Sequence, residues 1–260
     1  MDIFNDLQSN YILLLLVVTR ISGAFLFNPF FGRKSVPAIV KIGLAILIAI
    51  GIVPTFGSSN PVIGSLIEFI FVVIKEMLVG FTIGFIIQLV MSLALIAGES
   101  IDMQLGLGMG KVYDPQSNVS MALTGTVYNI LFTFLFFLSN SHLTMIRLVT
   151  KSCELFPVGT EIFNFEIGSY IVLIFGDILI LALKLAIPII AIEFLTEAGL
   201  GVLMRIVPHI NVFIVGLQIK LGVGLIIVFL VLPTTSRVLD SSMTYMFARI
   251  EEGISIMLKQ

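Results

Sequence analysis

Charge is the scarcest property of this 260-residue chain: Asp, Glu, Lys and Arg together make up 12% of it. Typical soluble domains are about one-quarter charged. The formal net charge is −2, so no basic surface offers itself to a nucleic acid. Cysteine occurs once, as Cys153, which excludes an intramolecular disulfide and a cysteine-built metal cluster. The two histidines, His142 and His209, are too far apart in sequence to form a ligand spacing. A basic leader is missing too. Met1-Asp2-Ile3-Phe4-Asn5-Asp6 carries acids where a cleavable signal peptide needs its basic region, so the first apolar run is expected to be retained. No sequence repeat stands out, and no linker is long enough to separate soluble domains.

What the chain has instead is hydrocarbon. It is 58% hydrophobic, with a mean hydropathy of +1.14. A soluble protein this apolar would need a core larger than its length allows. The expected class is an all-α integral membrane protein, a single domain over residues 1–260 with about six hydrophobic runs. Tyr11 to Phe31 is the first, interrupted by Arg20 and ending in the turn Asn28-Pro29-Phe30-Phe31-Gly32. Ile39 to Pro54 is the second. Glu68 to Ala97 is the third, roughly 45 Å long as one helix and too long for an upright span. Within it Gly80 and Gly84 offer a small-residue surface for close helix contact. Met121 to Leu138, Ser169 to Ile192 and Val212 to Leu232 complete the set. Pro188 marks an expected kink in the fifth. Between the fourth and fifth, Ser139 to Ile167 is the longest polar connection, and Leu143 to Leu155 within it has the pattern of an amphipathic helix. In the tail, Thr234 to Gln260, helical spacing of Met243, Phe247, Ile250, Ile254 and Met257 or Leu258 predicts another.

The stretch after the third run is the least membrane-like part of the chain. Ala97 to Gln116 brings Glu99, Asp102 and Gln104, then Gly106, Gly108 and Gly110 in alternation, then Lys111 and Asp114-Pro115. Glu99 and Asp102 are three residues apart and share a helix face. Burying either in hydrocarbon costs roughly 2.5–3.5 kcal/mol. They either cap a helix end at the interface or line a conduit. A catalytic pair is disfavoured because no nucleophile or metal ligand accompanies them. The glycines do not make a phosphate loop, because Leu105 stands where the first glycine should be and Val112 where the hydroxyl should be. The alternatives are an ordinary loop or a close backbone approach. Met103, Met109 and Met121 flank the stretch, and methionine is pliable enough for a deformable seal. No enzyme, cofactor or metal site is expected.

Further charges lie in or beside the apolar runs: Arg20, Lys75, Glu76, Asp177, Lys184, Glu193 and Lys220. Each is a functional candidate by its position. Their scatter and mixed sign favour pairing with one another or with partner subunits. The topology signal is tied. Six spans in series set Arg33, Lys34, Lys41, Lys111 and Arg205 against Arg147, Lys151, Arg237, Arg249 and Lys259. The positive-inside bias therefore chooses no orientation, and some runs are expected to be hairpins or to be buried in partner subunits.

The landmarks carry a resemblance when taken in order. They are Arg20-Ile21-Ser22-Gly23, the turn at residues 28–32, Pro37 with Lys41-Ile42-Gly43-Leu44-Ala45, and Glu76 with Gly80 and Gly84. Gly98-Glu99-Ser100-Ile101-Asp102 through Gln104 and Gly106 follows, then Asp114-Pro115-Gln116-Ser117, and lastly Pro208 to Gly216 with Lys220. Over roughly residues 10 to 235 the chain resembles the FliR/SctT family, the export-gate subunit of bacterial flagellar and type III secretion systems. The family pattern has glutamine where His209 stands and proline near Gln218. The resemblance implies a noncatalytic, multi-pass protein of the bacterial inner membrane at the flagellar basal body. Its hydrophobic runs would form bent helical hairpins in a helical export-gate complex with FliP-like and FliQ-like subunits, and with an FlhB-like switch subunit. It also implies that the loop of about residues 104–118 plugs the pore, with Gly106, Leu107, Gly108, Met109, Gly110 and Lys111 at the gate. Glu99, Asp102, Met103, Gln104 and Asp114 would line the pore or face partners, and Arg20, Gly80, Gly84 and Lys220 would serve assembly. The cargo would be unfolded export substrates. The readings held against this are the homologous subunit of a virulence injectisome, and a small-solute secondary transporter coupled through Glu99/Asp102 or Asp177/Lys184.

Overall fold

The computed structural model describes residues 2–32, 36–56, 64–107, 122–159, 164–207 and 212–258. Among them the regular structure is helical throughout. The helices are α1 (Asp2–Leu26), α2 (Ala38–Ile52), α3 (Leu66–Gln104), α4 (Leu123–Leu138), α5 (Ser141–Leu155), α6 (Ile167–Ile206) and α7 (Val212–Leu258). A short 3-10 turn, Val53–Phe56, follows α2.

The all-α membrane class is confirmed, but the runs do not become six serial spans. Among the described residues three helices are long and apolar enough to cross a bilayer, α3, α6 and most of α7; a fourth span exists if the broken pair α4 and α5 counts as one. The apolar part of α1, Tyr11–Leu26, and all of α2 are shorter than the roughly 20 residues that an upright span needs. A tied charge count is the natural result when the runs do not alternate sides one after another. Helix α3 has 39 residues and α7 has 47. At about 1.5 Å per residue these reach roughly 58 and 70 Å, well beyond a hydrocarbon core of about 30 Å.

The ends of the helices follow from local chemistry. Ser65 Oγ accepts the Glu68 N–H at 3.2 Å, and the Glu68 carboxylate accepts the Gly64 N–H at 2.8 Å, a reciprocal cap that starts α3. The turn after α1 is closed by Asn28, whose Oδ1 accepts the N–H groups of Phe30 at 2.8 Å and Phe31 at 3.2 Å. Asn140 separates α4 from α5 in the left-handed region, with φ 55°.

The chain forms two compact units. The first comprises Met1–Val90, Asn140–Ile174 and Thr244–Gln260; the second comprises Met91–Ser139 and Phe175–Met243. In the first unit α1 packs on α2 and α5. Its interior holds Leu16, Val17 and Ile21 of α1, Val79, Ile83 and Ile86 of α3, and Ile250 and Ile254 of α7. Phe27, Phe81 and Phe85 form an aromatic cluster beside it. In the second unit Leu93, Ala94 and Ala97 of α3 are buried, as are Tyr128, Phe132 and Phe136 of α4 and Ile178, Ala182 and Ile189 of α6. The expected amphipathic tail is not a separate helix. It continues α7 through Pro233 and buries Met243, Met246, Ile250, Ile254 and Met257, while Phe247 is half-buried.

Candidate functional site

The described part of the polar stretch after the third run, up to Leu107, belongs to the second unit. Helix α3 continues past Ala97 to Gln104, so Glu99 and Asp102 are helical. The two divide despite their spacing: Glu99 and Met103 are exposed, Gln104 is half-buried, and Asp102 is 5% exposed. The reason is the start of α4. Its N-cap position is Ala122, which has no side-chain acceptor. The Asp102 carboxylate supplies it from 22 residues earlier, accepting the Thr124 N–H at 3.0 and 3.3 Å. A carboxylate at a helix N-terminus meets unpaired N–H groups and the positive end of the helix dipole together. Asp102 therefore acts as a helix cap made across the fold, and Glu99 is the member of the pair left facing outward.

The same two helices touch backbone to backbone. A Cβ on Gly98 would collide with Gly125 N and Cα, so α3 and α4 cross glycine on glycine. Past the crossing, Ile101 and Leu105 are fully buried. Gly106 then leaves the helix with φ +77°, a conformation that lets a helix terminate and costs an L side chain strain. The first of the alternating glycines is thus a helix stop beside Leu217. Leu107 is half-buried. Gly108, Met109, Gly110, Lys111 and Asp114 lie outside the described residues.

Helices α6 and α7 complete the surroundings. A Cβ on Gly224 would strike the Leu105 side chain. One turn earlier Lys220 is ion-paired with Glu197 of α6. Two roots among the described residues flank positions 108–121: the Gly106 stop next to buried Leu105, and the α4 N-terminus held by Asp102.

The first unit holds a separate polar cluster. Arg20 of α1 is fully buried, and its Nε donates to Glu76 Oε2 of α3 at 2.6 Å. Arg20 Nη1 donates to the carbonyls of Ser152 and Phe156, each at 2.9 Å, which satisfies the end of α5. The guanidinium also lies 5.3 Å from the centre of the Phe156 ring. Glu76 Oε1 accepts the Gly159 N–H at 2.9 Å. Gly80 and Gly84 let α1 approach closely: a Cβ on either would collide with the carbonyl of Arg20 or of Ala24. Arg20, Gly80 and Gly84 make these contacts within the chain. Lys220 likewise has its ion-pair partner, Glu197, within the chain.

A family model described as bacterial export proteins, family 1, matches residues 11–246. The chain belongs to the bacterial export proteins, family 1. Relatives cover most of this export protein. It is 33% identical over 217 residues to the flagellar biosynthetic protein FliR of Bacillus subtilis, covering 82% of this chain and 83% of the relative. FliR of Escherichia coli is 28% identical over 242 residues, covering 93% and 91%. The surface presentation of antigens protein SpaR of Shigella flexneri is 28% identical over 236 residues, covering 88% and 90%. Sequence reasoning singled out Asp102, Arg20, Glu76 and Lys220 in this export protein. It missed Gly125, Gly224 and Thr124, whose partners are distant in the chain. The available signal was a glycine at the third position of a phenylalanine-rich helix and another in Gly222-Val223-Gly224.

Proposed function

We propose that this export protein is a noncatalytic export-gate subunit of the flagellar type III secretion apparatus in the bacterial inner membrane. Its partners on this reading are FliP-like and FliQ-like membrane subunits, with an FlhB-like switch subunit beside them. Unfolded substrates pass through the pore that these subunits form. The segment from Gly106 to about Asn118 closes that pore until it is displaced. The observation carrying the closure reading is the double root described above. A segment that must seal against ion leakage needs fixed ends, and the Gly106 stop and the Asp102 cap supply them. The flagellar assignment follows the Bacillus subtilis relative at 33% identity, against 28% for the Shigella protein.

The test is purification from membranes through a tag on this chain. A stable complex with two small hydrophobic membrane proteins is expected. A well-folded monomer that transports a small solute in liposomes overturns the gate reading in favour of a secondary transporter. Within that complex, deletion of Gly106 to Gly110 is expected to make proteoliposomes leak ions. Tight vesicles together with unchanged export remove the plug.

A further inference from the structure

Helices α6 and α7 meet along two successive rungs. Glu193 and Glu197 are one turn apart on α6, and Lys220 and Gly224 are one turn apart on α7. On one rung Lys220 is paired with Glu197, whose side chain is 46% exposed. On the other rung there is no cation among the described residues. Glu193 faces Gly224 instead, where a Cβ would stand 2.9 Å from Glu193 Oε1. Glu193 is 0% exposed, and neither carboxylate oxygen has a hydrogen-bond partner among the described residues. Buried Leu105 packs at the same face of Gly224, so Glu193 Oε1 lies beside a leucine side chain there. Among the described residues, the charges acting on Glu193 are Lys220 from α7 and Glu197 from its own helix. Asp102, the carboxylate of α3 nearest in sequence to Leu105, is bonded to Thr124.

An ionised carboxylate without a partner in such surroundings is strongly disfavoured. A hydrated metal ion brings its own water shell and needs several further oxygen ligands, and a site closed by Leu105 and Gly224 provides neither. The cation that fits is a proton. We propose that Glu193 is a proton-binding site, with its carboxyl protonated while Lys220 is held by Glu197 and deprotonated when Lys220 transfers to it. On release the O–H bond breaks and the proton passes to water. The Lys220 ammonium then neutralises the new carboxylate, and half-exposed Glu197 is left to solvent. Proton occupancy thus selects which rung the lysine clamps. This inference goes beyond the gate reading and holds whether or not the loop closes a pore.

The experiment is infrared spectroscopy of the full-length protein in lipid, titrated with pH. At neutral pH a protonated-carboxyl stretching band is expected, shifted in heavy water and absent from Glu193→Gln. A spectrum unchanged by Glu193→Gln overturns the site. Glu197→Gln leaves Lys220 free to pair with Glu193, so the band is expected to titrate away about 1–3 pH units lower than in the wild type. If Glu193→Gln does not fold, this second comparison decides: a missing wild-type band, or one that Glu197→Gln leaves unmoved, overturns the proposal.

Discussion

Asp102 and Thr124 illustrate how a single carboxylate can define where a helix begins. Replacing Asp102 with Ala leaves the first N–H groups of α4 without a buried acceptor. A loss of about 1–3 kcal/mol is expected, read as a lower midpoint in chemical unfolding of the detergent-solubilised protein. Asp102→Asn keeps an acceptor oxygen but loses the charge, so its loss should be smaller. Gly106 is a second single-residue device. At φ +77° an alanine costs roughly 1–2 kcal/mol, and Gly106→Ala is expected to be destabilised while Glu99→Gln, at an exposed position, is not. Both residues were visible in the sequence as members of a suspicious cluster. What they do was not visible. Local spacing places Glu99 and Asp102 on one face, but only the approach of α4, 22 residues away, makes one of them a cap.

Among the elements, α1, α3 and α5 are joined by the Arg20–Glu76 pair and the carbonyls it satisfies. Removing one partner of a buried pair strands the other charge, at a cost of about 3–5 kcal/mol. Arg20→Met is therefore expected to be severely destabilised in thermal melts, and Glu76→Gln less so because the amide still bonds. The double variant Arg20→Met with Glu76→Leu should recover part of the loss. Recovery is incomplete because the carbonyls of Ser152 and Phe156 and the N–H of Gly159 lose their partners. Where α4 gives way to α5, Asn140→Gly should be neutral or slightly stabilising, since glycine adopts φ 55° without a side-chain clash. Asn140→Val at the same place is expected to lower the melting temperature. The sequence pattern showed these elements well. The long third run, the amphipathic helix before Leu155 and the stripe from Met243 to Met257 are all present. Their joints were less legible, because a glycine crossing such as Gly98 on Gly125 leaves no periodic trace. Continuity through Pro233 was equally hidden, since a proline reads as a break.

At the scale of the whole molecule, many large apolar side chains are exposed along the helices. Helix α2 alone exposes Ile39, Val40, Ile42, Leu47 and Ile50, and α6 exposes Val172, Leu173, Phe194 and Leu195. Such surface is stable against lipid or against other subunits. On the gate reading, separation from partners is expected to make the chain aggregate when detergent is diluted, while the assembled complex stays monodisperse in size-exclusion chromatography. The tied charge count pointed in this direction from sequence alone. It could not say which runs fall short of a span, because that depends on where each helix ends.

The Arg20 cluster also has a consequence for synthesis. Arg20 emerges from the ribosome 56 residues before Glu76, and 132 and 136 residues before the carbonyls of Ser152 and Phe156. At bacterial elongation rates of about 5–20 residues per second, the nascent chain waits on the order of ten seconds for the last of these partners. During that wait a guanidinium in the apolar part of α1 is only partly compensated. The insertion machinery must therefore shelter the early helices, or leave them at the membrane surface, until α5 arrives to complete the cluster.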